Sequence, residues 1–356
     1  MDIFVDDQND GYHPNQLMRD GSIRNRALQH LFSYGRPYWG AILRTGNLAM
    51  VQRMARTKIY GKENKGFERL NDVEAIALIP HRINFHVALY DLAETLSSSY
   101  LRYITGISED HTLLSTTQPS EPILAFISAQ DMLEDPGRRL RAVEALYDNV
   151  SKGFIHLGDI GEAIAALILM FTFDRVHGLR YPTPVKFSKF IETLLPHSAV
   201  LEIESRMGDS ENMQALGDHG FVFFNHFVRL SERPTEKTIR MAYGRGAAIF
   251  APPRFKGCDI IIPIHVQGQD KMSYFIVQVK NRSDDTLSKS LRNEARESLK
   301  SAADILPRPP SHMAMLMSLR SKDGQRDIGV VYPEPDSEEK TEVERRQLRS
   351  PVQLDQ

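Results

Sequence analysis

The sequence predicts a mainly α-helical N-terminal region followed by an α/β domain. From Arg26 to about Tyr147, apolar residues recur at the three- and four-residue spacing of helices. After Gly220 the pattern changes to GFVFFNHFVRL, a dense aromatic and β-branched run of strand length. Two more such runs follow, CDIIIPIHV at 258–266 and YFIVQVKNR at 274–282. A long amphipathic segment and another apolar run, HMAMLMSL, come next, and this alternation is typical of an α/β domain.

Composition divides the 356 residues into four segments. We predict a flexible arm at 1–25, a helical region at 26–150, the α/β domain at 151–333 and a disordered tail at 334–356. The arm is rich in Asp, Asn, Gly and Arg, and the tail is charged with almost no apolar residues. Such segments bury too little apolar surface to offset the entropy of ordering.

Charge and cysteine content exclude several classes of protein. The net charge of -2 gives no general attraction to nucleic acid or to an anionic membrane. The single cysteine, Cys258, excludes internal disulfides and indicates a reducing compartment, nucleus or cytoplasm.

No secretory leader is expected, since the first residues are acidic and polar. The run AIAALILMF at 163–171 is too short to cross a membrane, so we predict a buried helix and no membrane partner.

The runs at 258–266 and 274–282 are predicted to form a β-hairpin. Gly268 followed by Gln269 suits the central positions of a type II′ turn. Pairing the strands around that turn sets Asp259 opposite Gln278. Because side chains alternate along a strand, Gln278 and Lys280 then share the face on which Asp259 lies. Three polar side chains are therefore expected together at the open end of the hairpin.

These residue types in this arrangement suit metal-dependent phosphodiester hydrolysis. Asp259 and the amide oxygen of Gln278 offer the hard oxygen ligands that Mg²⁺, or Mn²⁺ in its place, prefers. Lys280 would position the attacking water or help to deprotonate it. A second carboxylate is expected from a neighbouring helix, and Glu162, near the start of the apolar helix, is the candidate.

A structural interpretation stands beside each of these assignments. Asp259 and Lys280 could form an ion pair at the edge of the sheet. Glu162 could simply complement the dipole at the start of its helix. Spacing alone does not choose between the two interpretations.

The amphipathic segment after the hairpin carries a basic face. The repeated cations are Lys289, Arg292, Arg296 and Lys300. They recur at steps of three and four residues, so one face of a helix would be basic and able to contact DNA phosphates. A solvated helix face without a nucleic-acid partner is the alternative interpretation.

Longer segments carry a resemblance to a known family. The motifs GDIGEAIAALILMFTFDR, GFVFFNHFV, RGAAIFAPPRFKGCDIIIPI and YFIVQVKNR, in that order, resemble the C-terminal region of Crinkler-like proteins of fungi and oomycetes. The resemblance implies a PD-(D/E)XK domain of the restriction-endonuclease type, with a mixed sheet flanked by helices. It also implies that Glu162 lies on the first core helix, Asp259 on the second core strand, and Gln278 and Lys280 on the third.

That resemblance implies a nuclease that acts on DNA, with an NTPase or another protein as a partner in trans. The sequence departs from the family in two ways. It has no P-loop, and Gln278 stands where most such nucleases have Glu or Asp, which removes a negative charge from the metal site. The alternative is therefore a catalytically degenerate module, an effector or interaction protein that binds nucleic acid or a protein partner.

Overall fold

The structure is a computed structural model. It describes residues 30–31, 33–44, 48–61, 70–84, 87, 90–110, 114–152, 157–178, 183–195, 211–280, 289–307, 311–319 and 328–330. The predicted arm at 1–25 and the predicted tail at 334–356 lie outside the described residues.

Helices dominate the first part of the chain and alternate with strands in the second. The helices are α1 Pro37–Arg44, α2 Leu48–Tyr60, α3 Asp72–Ala77, α4 Tyr90–Ser99, α5 Pro122–Glu134, α6 Pro136–Ser151, α7 Leu157–His177, α8 Phe187–Leu194, α9 Glu211–His219, α10 Glu236–Gly244 and α11 Lys289–Ile305. The strands are β1 Tyr103–Ile107, β2 Leu114–Thr117, β3 Val185–Lys186, β4 Gly220–Val222, β5 His226–Arg229, β6 Ala247–Phe250, β7 Ile260–Val266, β8 Ser273–Lys280, β9 His312–Ser318 and β10 Ile328–Val330.

Local sequence signals explain where several helices begin. Asn71 caps α3 through its side chain, which accepts a hydrogen bond from the Glu74 backbone nitrogen, and the Glu74 carboxylate accepts one from the Asn71 backbone nitrogen. Asp135 caps α6 by accepting hydrogen bonds from the backbone nitrogens of Gly137 and Arg138. Both α5 and α6 have proline in the first turn, where the missing N–H costs nothing.

The described residues divide into two compact units. The helical unit comprises the described residues up to Val185 together with 223–229 and 241–248. The sheet unit comprises 186–222, 230–240 and the described residues from 249 onward. The two units interleave along the chain, and residue 151, where a boundary is predicted, lies inside the helical unit.

The helical unit confirms the predicted helical character of the first half and adds one hairpin that we did not predict. Strands β1 and β2 pair antiparallel, with an irregularity between Ile104 and Gly106. Three of the large apolar side chains on β1 are exposed, namely Tyr103, Ile104 and Ile107. This strand therefore lacks the alternation of buried and exposed residues by which a sequence signals a strand.

The sheet unit is built around an antiparallel pair of long strands. Its strands lie in the order β10-β9-β8-β7-β4. Strand β7 runs antiparallel to both β4 and β8, whereas β8 and β9 are parallel and β10 is antiparallel to β9. A mixed α/β architecture is therefore present, as predicted. Parallel strands require a crossover, and α11 provides it between β8 and β9.

Strands β7 and β8 lie at the centre of this sheet. Ile260, Ile261, Phe275 and Ile276 are almost completely buried although they alternate in direction, so both faces of the hairpin are covered. One strand prediction was wrong in detail. The run GFVFFNHFVRL forms two short strands, β4 and β5, rather than one, because the chain leaves the strand conformation between them.

The apolar run at 163–171 lies within α7, as predicted. Its small and large apolar residues Ala165, Ala166, Leu169 and Met170 are buried. None of the described helices is both long enough and apolar enough to span a membrane.

Candidate active site

The pairing of β7 with β8 confirms the predicted register. Ile260 lies opposite Val277, and Ile262 lies opposite Phe275. Beyond the last paired residue, the Asp259 backbone nitrogen donates to the Val277 carbonyl oxygen at 2.9 Å. The paired register ends there, and Asp259 lies at a bend just before β7, beside the 277–279 stretch of β8.

The connection at the other end of the hairpin is longer than predicted. Strand β7 ends at Val266 and β8 begins at Ser273, so the connection exceeds the two-residue turn. Gly268 does adopt a positive φ of 83°, and the Gln269 backbone nitrogen donates to the Val266 oxygen at 3.1 Å. The glycine thus supplies the left-handed conformation that the turn requires.

Asp259 is anchored across the hairpin. Its Oδ2 atom accepts a hydrogen bond of 2.6 Å from the backbone nitrogen of Val279. A charged acceptor makes such a bond short and strong, so the carboxylate is held at the open end of the hairpin.

Gln278 presents a buried side-chain oxygen. The residue is 7% exposed, and its Oε1 atom makes no hydrogen bond with any of the residues that the structure describes. A buried acceptor left unsatisfied costs about 1–3 kcal/mol, which makes this atom a position where a ligand would be stabilising.

Lys280 completes the open end of the hairpin. Its Nζ atom donates to Oε1 of Glu294 on α11 at 3.2 Å, with side-chain exposures of 15% and 48%. Sequence spacing does not indicate this partner, because Glu294 is one of several charged residues on the predicted amphipathic helix after the hairpin. The contact depends on how α11 returns along β8, which is a property of the folded unit.

Glu162 belongs to a different compact unit from the other three candidate residues. It belongs to α7 in the helical unit, where its Oε2 atom lies 2.5 Å from Nη2 of Arg229. Asp259, Gln278 and Lys280 belong to the sheet unit. The candidate site that the sheet unit builds by itself consists of these three residues and Glu294.

Cys258, next to Asp259, is a buried thiol. Burial raises the pKa of its thiol well above the ordinary value, and the negative charge of Asp259 raises the pKa further. The thiolate, which is the reactive form of cysteine, is therefore disfavoured. Cys258 therefore acts as a buried, small apolar side chain.

The predicted basic face belongs to α11. Lys300 is exposed on that helix. The side chains of Lys289, Arg292 and Arg296 lie outside the described residues, although their backbone belongs to the helix. The contact of this face with DNA stays a prediction.

The oxygen atoms at the open end suit a hard cation. Within the described ranges, no three His, Cys, Asp or Glu side chains are grouped so as to hold a metal ion. Mg²⁺ does not need such a group, because it keeps several waters and often takes only one or two carboxylates together with substrate phosphates. The anchored carboxylate of Asp259 and the unsatisfied Oε1 of Gln278 fit that requirement.

A family model described as "Domain of unknown function (DUF8736)" matches residues 66–304, more than half of the chain. The chain belongs to the DUF8736 family. The matched DUF8736 region contains α7 and the complete β7–β8 hairpin, and therefore Glu162, Asp259, Gln278, Lys280 and Glu294. No curated protein and no solved structure matches the chain. The description of DUF8736 names no activity.

Proposed function

We propose that this protein is a Mg²⁺-dependent nuclease that hydrolyses phosphodiester bonds in DNA at the open end of the β7–β8 hairpin. The observation that carries the proposal is the bond that holds the Asp259 carboxylate against β8, because its donor, Val279, lies between Gln278 and Lys280. Mn²⁺ is expected to replace Mg²⁺, since both accept oxygen ligands.

The order of elements in the sheet unit supports a restriction-endonuclease type of domain. Three neighbouring strands, β4, β7 and β8, are followed by α11 and then by β9, parallel to β8. Asp259 directly precedes the second of these strands, and Gln278 and Lys280 lie on the third. This is the assignment that the resemblance to Crinkler-like proteins implies.

Each residue of the site has a definite role in this proposal. Asp259 and Gln278 would hold the Mg²⁺ ion through Oδ and Oε1 atoms, and binding would give the buried Gln278 oxygen a partner, which none of the described residues provides. When bound, Mg²⁺ supplies Lewis-acid polarisation of the phosphoryl group. Lys280 has three donors, of which one faces Glu294, and it donates to a phosphate oxygen or to the attacking water. Glu294 fixes the direction of the Lys280 ammonium group.

The test is cleavage of supercoiled plasmid DNA with Mg²⁺, using Asp259→Asn and a matched control. The asparagine keeps an oxygen that can accept from Val279 while removing the charge. Asp270→Asn is the control, because Asp270 is an exposed aspartate in the connection of the same hairpin. We expect Asp259→Asn to lower the cleavage rate at least about 100-fold, since loss of a metal-binding charge costs several kcal/mol.

The Asp270→Asn control is expected to cleave at the wild-type rate. EDTA is expected to stop cleavage by the wild type and by this control. Cleavage by Asp259→Asn at the same rate as Asp270→Asn would overturn the proposal.

The contacts of the site also favour a second candidate, a module that binds DNA without cutting it. Asp259 and Lys280 both have partners inside the sheet unit, Val279 and Glu294, and these contacts stabilise the fold without any metal. Salt-sensitive binding of DNA by the wild type with no cleavage under Mg²⁺ or Mn²⁺ would favour this candidate.

A further inference from the structure

A cavity of about 440 Å³ lies in the helical unit beside the turn that precedes α1. It is lined by Arg36 and Tyr38 on one side and by a stripe of α2 on the other. Ligand cavities of about 300–1,000 Å³ are typical of small-molecule sites, so this one has room for a metabolite. The cavity lies outside the matched DUF8736 region, which begins at residue 66.

The α2 side of the cavity combines cations with thioethers. Met50, Met54 and Lys58 follow one another at four-residue steps and Arg53 lies three residues after Met50, so all four lie on one broad face of the helix. Arg53 and Lys58 are exposed. Within the part of the chain that the structure describes, no carboxylate pairs with either of them, and no acidic residue lines the cavity. The cavity therefore favours an anion.

The opposite side of the cavity is held rigidly by a buried carboxylate. Glu121, which is 2% exposed, lies 2.8 Å from Nε of Arg36 and accepts a hydrogen bond of 2.7 Å from Nε1 of Trp39. Tyr38 packs edge-on against Trp39, with ring centroids 5.3 Å apart, and its hydroxyl donates to Sδ of Met54 at 3.0 Å. The Tyr38 ring is thus fixed in place while 40% of the residue stays exposed.

The cavity combines an anchored aromatic ring, two thioethers and two cations that pair with no carboxylate among the described residues. Such a set recognises two kinds of chemistry at once. Aromatic and thioether groups contact the face of a planar ring, and the Arg53 and Lys58 cations bind phosphate oxygens. Inorganic phosphate would leave the apolar part of the cavity unused. An uncharged aromatic compound would leave both cations unused.

We propose that this cavity binds a nucleoside phosphate. Arg53 and Lys58 contact the phosphates, and the base lies against Tyr38 and the methionines of α2. The site is independent of the hairpin in the sheet unit, so the proposal stands whether or not the protein cleaves DNA.

The experiment is isothermal titration of the full chain with ADP, comparing wild type with Arg53→Ala/Lys58→Ala. Both replaced side chains are exposed, so the variant is expected to keep its fold, which circular dichroism verifies. Lys152→Ala is the control, because Lys152 is an exposed lysine at the end of α6 in the same unit. Trp39 is the only tryptophan of the chain and touches Tyr38, so its emission shows whether ADP binds in this cavity.

We expect saturable ADP binding that changes Trp39 emission, is retained in Lys152→Ala, and is weakened at least about tenfold in the double variant, the effect of losing about 1.4 kcal/mol of contacts. Inorganic phosphate is expected to bind more weakly than ADP. Equal affinity of the double variant and the wild type would overturn the proposal, as would the absence of ADP binding at millimolar concentration. A single-stranded oligonucleotide that changes Trp39 emission and is not displaced by ADP would also overturn it, in favour of a nucleic-acid surface.

Discussion

Gly257 packs so closely against α11 that a Cβ atom on it would collide with the carbonyl oxygen of Ser298. The same glycine has a positive φ of 96°. It stands two residues before Asp259, so this close approach sets where the chain enters β7 and where the candidate site begins.

Gly257→Ala is therefore expected to destabilise the sheet unit strongly. The alanine would suffer both left-handed strain, about 1–3 kcal/mol, and a collision with α11. Gly268→Ala is the matched control, because Gly268 has a φ of 83° and a Cβ atom added to it would meet nothing within 4 Å. We expect chemical denaturation to show a clearly larger loss of unfolding free energy for Gly257→Ala. Equal losses would contradict the packing of the Gly257 segment on α11.

The core of the helical unit depends on a buried ion pair. Nη1 and Nη2 of Arg82 lie 2.5 and 2.7 Å from the two carboxylate oxygens of Asp174, and neither residue is more than 3% exposed. Nε of Arg82 donates to the Asn225 carbonyl oxygen at 2.9 Å, so the guanidinium group is satisfied on several sides.

Removing one member of this pair should cost about 3–5 kcal/mol of unfolding free energy, because the other charge stays buried without its partner. We expect Arg82→Met and Asp174→Leu each to show that loss in urea denaturation. The double variant should lose much less than the sum of the two single losses. Additive losses would contradict a direct coupling between the two residues.

Two buried histidines, His81 and His226, and the half-buried His177 make stability depend on pH. Burial is the main cause that lowers the pKa of His81 and of His226 to about 3 and that of His177 to about 4. The contacts of His226 are compatible with a neutral ring. Nδ2 of Asn225 donates to the Pro122 oxygen, so its Oδ1 accepts from Nδ1 of His226, and the Ser120 hydroxyl, 2.8 Å from Nε2, donates to that atom when the ring is neutral.

Unfolding free energy should therefore fall as the pH falls from about 6.5 towards 4. Below the pKa that histidine has in the unfolded chain, the unfolded chain binds protons that the folded chain does not bind. Each such histidine lowers the unfolding free energy by up to about 1.4 kcal/mol per pH unit. We expect His226→Gln to reduce this slope, measured by urea denaturation between pH 7 and about 4.5. His219→Gln, at an exposed histidine on α9, should leave the slope unchanged. Identical slopes for His226→Gln and the wild type would count against a neutral, buried His226.

Binding of DNA is expected to involve the exposed Lys300 of α11. Each phosphate contact contributes about 0.9 to the slope of log affinity against log salt concentration, so Lys300→Ala should reduce that slope by about one. Lys237→Ala is the control, at an exposed lysine of α10. Fluorescence anisotropy of labelled duplex DNA at several salt concentrations gives the slopes. Equal slopes for both variants would remove Lys300 from the interface.

The hairpin could be predicted from sequence because its signals are local. Gly268 marks the turn, and the two apolar runs on either side fix the register once the turn is set. A shift of one residue in the predicted strand pairing would have placed Asp259 on the other face of the sheet. The predicted register was therefore a specific prediction.

The features that sequence reasoning missed depend on contacts between distant segments. Arg82 and Asp174 are 92 residues apart in the sequence, and no local motif around either residue predicts that the two will pair. Glu294 meets Lys280 only because α11 crosses back beside β8. The division into interleaved units likewise follows from packing, which hydrophobic periodicity does not encode.

The most direct test of the nuclease site compares two lysines of one hairpin. Lys280→Met and Lys271→Met make the same substitution at the open end and in the exposed connection, respectively. With Mg²⁺ and supercoiled plasmid, we predict that Lys280→Met loses cleavage while Lys271→Met cleaves at the wild-type rate. Equal cleavage by the two variants would contradict a catalytic site at Asp259, Gln278 and Lys280.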